Sequence, residues 1–94
     1  MIIWKWELER SKVQKIQMPK GCRILSLQTQ AGKPCLWAAF ENHNLNYFNR
    51  DEETRTFFTV GTGEHVTHSL SCLTFLGTYQ LFNGDEVYHV FEKT

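Results

Sequence analysis

The sequence predicts a mainly β protein, a small antiparallel β-sandwich or partly open barrel of about six strands. Three observations carry that expectation. The first stretch alternates with period two, setting Ile2, Trp4, Trp6 and Leu8 on one side against Ile3, Lys5, Glu7 and Glu9 on the other. Turn signals built from Pro, Gly and Asn punctuate the chain at short intervals. No stretch sustains the apolar period of a surface helix.

The elements follow in order. Ile2 to Glu9 is the clearest strand. Val13 to Met18 is a shorter one that stops at Met18-Pro19-Lys20-Gly21, a Pro-Gly turn signal. In Cys22 to Gln30, Arg23, Leu25, Leu27 and Thr29 oppose Ile24, Ser26 and Gln28. Gln30-Ala31-Gly32-Lys33-Pro34 then turns the chain back into a strand over Cys35 to Glu41. Asn42 to Glu53, rich in Asn and ending in three acids, reads as a loop that Tyr47 and Phe48 pin down. Thr54 to Val60 is a strand closed by Gly61-Thr62-Gly63, and Glu64 to Ser71 is a second long loop. Ser71 to Leu81 and Glu86 to Glu92 form a last hairpin around Asn83-Gly84-Asp85.

Length and charge limit the function. Ninety-four residues make a single domain over residues 1–94, with one small core and no room for a deep enclosed active site, which excludes large multi-part enzymes. Ten basic and ten acidic side chains leave no net charge. That argues against a protein that neutralises the phosphates of duplex nucleic acid. Apolar runs are short and the first residues are already charged, so neither a membrane span nor a signal peptide is expected and the protein reads as cytosolic. Cys22, Cys35 and Cys72 are odd in number and lack Cys-x-x-Cys spacing, as reduced, buried thiols would be.

Constellations that could carry chemistry are few. His65, His68 and Cys72 are residue types that zinc accepts, with Glu64 or His43 as a distant fourth ligand, yet their spacing matches no metal motif. Loop histidines beside a buried cysteine are the simpler reading, and neither metal nor cofactor is expected. No nucleophile, base and orienting group are set at a telling spacing, so the protein is read as a non-enzyme. His89, between Val87 and Phe91, reads as a satisfied core histidine. Gly61-Thr62-Gly63 is first of all a turn; as an anion-binding nest it would have Arg55 at the far end of the same strand and Thr62, His65 and Thr67 as nearby donors. Seven Phe, three Trp and three Tyr exceed what this core needs. Trp4 and Trp6 are assigned to the core or a dimer contact. Trp37 alternates with the small Cys35 and Ala39, which could leave its ring open to stack on a nucleobase.

Several runs carry a resemblance: Ile3-Trp4-Lys5, Met18-Pro19-Lys20-Gly21, Ile24-Leu25-Ser26, Lys33-Pro34-Cys35-Leu36-Trp37-Ala38, Thr54-Arg55-Thr56-Phe57, Gly61-Thr62-Gly63, Leu76-Gly77-Thr78-Tyr79-Gln80-Leu81 and His89-Val90-Phe91-Glu92. In this spacing the chain resembles a family of small uncharacterised bacteriophage and prophage proteins, with Asn42–Arg50 and Glu64–Leu70 matching least. The resemblance brings no established activity. It implies a binder working in the cytoplasm of the infected bacterium, similar in general character to phage counter-defence proteins. Such a protein would sequester a nucleotide immune second messenger, a cyclic oligonucleotide or ADP-ribose derivative, without cleaving it. Arg55, Thr62, Gly63, His65 and Trp37 are the ligand-binding candidates, in a pocket that a homo-oligomer could build between subunits. The alternatives are an inhibitor docking on a host defence complex such as a CRISPR effector through a β-edge or aromatic patch, or a minor virion or assembly component.

Overall fold

A computed structural model describes residues 1–41 and 51–94. Within them the chain forms β1 (Ile2–Glu7), β2 (Val13–Pro19), β3 (Arg23–Gln30), β4 (Lys33–Phe40), β5 (Glu52–Gly61), β6 (Leu73–Leu81) and β7 (Glu86–Lys93), with one-turn 3-10 segments at Leu70–Cys72 and Phe82–Gly84. The expected six strands are seven. β2, the shorter strand expected over Val13 to Met18, runs on to Pro19. Its pairing with β5, from Val13 opposite Phe58 to Pro19 opposite Glu52, makes it a full strand. Tyr47, Phe48 and His43 lie outside the described residues.

All ladders are antiparallel and form two sheets, ordered β1-β4-β3 and β2-β5-β7-β6. They do not close into a barrel. The inner face of the three-stranded sheet is set by Trp6 opposite Leu36, Trp4 opposite Ala38 and Ile2 opposite Phe40, joined from β3 by Leu27 and Ile24. The four-stranded sheet answers with Met18, Phe57, Val90, Tyr79 and Leu81, all buried. Alternation within each strand thus places one apolar set between the layers. The sheets approach along β3 and β6, where Gly77 lies against Leu27: a Cβ at Gly77 would sit 3.2 Å from the Leu27 Cβ. β6 bulges between Phe75 and Gly77 and β3 between Ile24 and Ser26, bending both strands at this seam.

Local chemistry explains the turns. In the β3–β4 hairpin Gln30 pairs with Lys33, and the two residues between them, Ala31 and Gly32, have φ of 50° and 77°. Two positive φ values in a two-residue loop make the type I′ turn, whose twist matches that of the strands. Gly32 takes that conformation without strain; Ala31 does not. Between β6 and β7, Phe82, Asn83 and Gly84 all have positive φ.

Two expectations about side chains change. Cys22 and Cys35 are buried, but Cys72 is exposed at the end of its 3-10 turn. His89 is satisfied but is not in the core. It lies on the outer face of the four-stranded sheet, opposite Val60 and Thr78, with one ring nitrogen 2.8 Å from Thr62 Oγ1 and the other 2.9 Å from Thr78 Oγ1. No helix among the described residues is long and apolar enough to cross a membrane.

Candidate functional site

Arg55 stands on β5 opposite Ile16 and projects into the inner face at the edge of the core. Its Nε and Nη2 donate to the two carboxylate oxygens of Glu92, the latter at 2.7 Å, while Nη1 donates to the Cys22 carbonyl at 2.6 Å and lies 3.1 Å from the Cys22 sulfur. The two charged side chains are each 16% exposed. The bond to Glu92 pushes the guanidinium pKa further up, and burial pushes the Cys22 thiol up even against the nearby positive charge. A cavity of about 510 Å³ opens here, yet Glu53 and Glu92 on its wall offset Arg55 and Lys93. A half-buried bidentate pair of this type is a clamp: it holds the β2–β3 turn to β5 and β7.

The other expected ligand residues lie elsewhere. About 20 Å of strand separates Arg55 from Gly61 at the rise of a β-strand. Gly61 to Glu64 is a tight turn in which the Glu64 amide donates to the Gly61 carbonyl (3.1 Å) and the Thr62 amide to the Val87 carbonyl (3.2 Å). Gly63 takes φ of 88° at the third position of that turn. Two of the amides a nest would aim at an anion are therefore already spent within the fold. His65 is exposed beyond the turn. Trp37 is half-buried on the outer face of the other sheet, between Lys5 and Ser26. Within one chain Arg55, Thr62, Gly63, His65 and Trp37 form no common pocket. Among the described residues, no three His, Cys, Asp or Glu side chains gather as metal ligands would.

A second cleft brings together residues that the sequence reading passed over. Arg10, Ser11 and Lys12 in the β1–β2 connection face Thr59 of β5, Tyr79 of β6 and Tyr88 of β7 across a space of about 450 Å³, with Glu64 at its rim. The connection is fixed by the Thr59 amide donating to the Lys12 carbonyl (2.9 Å). Tyr79 and Tyr88 are cross-strand neighbours with ring centroids 5.4 Å apart. Glu86 accepts from Arg10 Nη2 and from the Tyr88 hydroxyl, both at 2.7 Å, and the Arg10 guanidinium sits 5.6 Å from the Phe82 ring centre. The Thr59 hydroxyl is buried with no hydrogen-bond partner among the described residues. The signal was faint in sequence: two cations in a five-residue connector, and two tyrosines whose opposition depends on the β6–β7 register.

The outer face of the four-stranded sheet carries a third feature. Val13, Phe58, Phe91 and Phe75 lie opposite one another on successive strands, an apolar row across the whole sheet. His68 stacks on Phe58 at 4.5 Å and Phe91 meets Phe75 at 5.3 Å, while Phe75 is 56% exposed.

Fold and site together define a class: a two-sheet antiparallel β domain with a mixed cationic and aromatic cleft at one end. Residues 1–94 match the family described as a domain of unknown function, DUF7352, and the chain belongs to that family. No curated protein and no solved structure matches it.

Proposed function

We propose that this chain is a phage-encoded, non-catalytic binding protein that sequesters a phosphate-bearing nucleotide messenger of host immunity in the cytoplasm of the infected cell. The observation that carries the reading is the convergence of Arg10, Lys12 and the half-buried Tyr88 on one cleft, with Thr59 and the buried Tyr79 as its floor. Its volume falls within the range of small-ligand sites, and its cationic donors suit a phosphate while the Tyr88 ring suits a base or ribose. Glu64 supplies an acceptor for an amino or hydroxyl group. Arg10 serves this role better than Arg55 because its partner Glu86 is exposed with it, and an exposed ion pair gives way at little cost. Lys12 has no carboxylate partner among the described residues.

The test is thermal unfolding against cyclic di- and trinucleotides and ADP-ribose derivatives. A ligand that binds only the folded state raises the melting temperature by mass action. Stabilisation by several degrees at micromolar ligand is expected, lost in Arg10→Glu/Lys12→Glu, with the ligand recovered intact after denaturation. No shift across the panel counts against the proposal. The second reading, an inhibitor that docks on a host defence complex, is favoured by the Val13-Phe58-Phe91-Phe75 row; Phe75→Ser would weaken such docking and leave ligand stabilisation unchanged.

A further inference from the structure

β1 is unusual among the strands in burying neither face fully. It is the outer strand of the β1-β4-β3 sheet, and its other edge pairs with no strand among the described residues. Ile3 on the outer face is 53% exposed, and Trp4, although it points to the inner side opposite Ala38, is 40% exposed. An open edge with large apolar side chains on both faces invites another strand.

The pattern of β1 says which strand fits. We propose that β1 pairs antiparallel with β1 of a second copy, about a two-fold axis through Trp4 normal to the sheet, so that the two three-stranded sheets become one of six. Such an axis keeps every residue on its own face, so opposed residues are both even-numbered or both odd-numbered. With the axis at Trp4, five residues of each strand fall in register. Trp4 meets the partner's Trp4 and Ile2 meets the partner's Trp6, all apolar and all on the inner face. On the outer face Ile3 lies against the stem of the partner's Lys5, an apolar contact with the ammonium still in water.

The neighbouring registers are worse for physical reasons. Moving the axis to Lys5 sets two ammonium groups directly opposite, which repels. Moving it to Ile3 or to Trp6 leaves only three residues of each strand paired. The charges at Lys5 and Glu7 thus guard the edge against most partners while permitting this one. Trp4 becomes the central anchor, a large ring half-covered in one copy and covered by its symmetry mate in two. This inference is independent of the ligand reading.

Sedimentation velocity and disulfide trapping test it on the full chain. The wild-type protein is expected as a dimer at tens of micromolar, and Trp4→Glu, which sets two carboxylates on the axis, as a monomer with its far-ultraviolet dichroism retained. In a Cys72→Ser background, Trp4→Cys should give a covalent dimer on mild oxidation. Directly opposed Cα atoms are about 4.5–5.5 Å apart, within disulfide reach. Lys5→Cys should not crosslink, because that position and its mate are offset by two residues and lie about 8 Å apart. A monomeric wild type, a dimer indifferent to Trp4→Glu, or crosslinking at position 5 rather than 4 would overturn the proposal.

Discussion

Arg55 touches three elements at once: the carboxylate of Glu92 on β7, the carbonyl of Cys22 at the start of β3, and its own strand β5. Because both charged groups are largely out of water, removing one leaves the other uncompensated. Glu92→Gln, which keeps the shape and one acceptor, is expected to cost about 2 kcal/mol in urea unfolding, more than an exposed charge would. An Arg55 substitution consequently tests the fold rather than a ligand. The bond to Glu92 raises the guanidinium pKa further in the folded state, so Arg55 stays protonated and brings no pH dependence of its own to the working range. Cys22 and Tyr79 do, from the alkaline side. Burial raises both, so the folded chain holds its protons while the unfolded chain begins to release them near 9.0 for the thiol and 10.0 for the phenol. Stability is therefore full below pH 9 and falls as pH rises further. Cys22→Ala should flatten the first part of that fall in thermal melts taken from pH 7 to pH 10.5.

Among the elements, the β3–β4 hairpin is the one where the residues and the backbone disagree. Its type I′ turn asks for positive φ at both central positions, and Ala31 meets that demand at a cost which Asn would reduce. Ala31→Asn is expected to stabilise the protein by about 0.5–1 kcal/mol, read as a higher urea midpoint at unchanged slope. The β5–β6 connection shows the reverse case. Gly61, Gly63 and the exposed residues after them make a turn and then an irregular strap, tied to the outer face by His68 on Phe58. Its glycines serve the turn, which is why a phosphate-cradling reading of the same three letters had little to stand on.

At the scale of the molecule, strands and turns were legible because alternation and turn residues are local properties. The β2–β3 turn closes from the Cys22 amide to the Pro19 carbonyl at 3.0 Å, where Pro19 and Gly21 announced it. The partnerships were not legible. That β7 lies between β5 and β6, and that Arg55 meets Glu92, depends on long-range register that composition does not encode. The cleft was not legible for the same reason, because it draws Arg10, Thr59, Tyr79 and Tyr88 from four places in the chain. The order β2-β5-β7-β6 has one more consequence, for the covalent chain itself. The strap from Thr62 to Leu70 is exposed throughout and spans a junction that the β5–β7 ladder already holds, so its peptide bonds are dispensable once the sheet has formed. Cleaved after Glu64, the protein should still elute as one body from a sizing column. Made separately, residues 65–94 would be a marginal hairpin that acquires structure only when residues 1–64 offer β5 as a template. The two fragments are then expected to act as a complementation pair, which the intact chain joins by a tether.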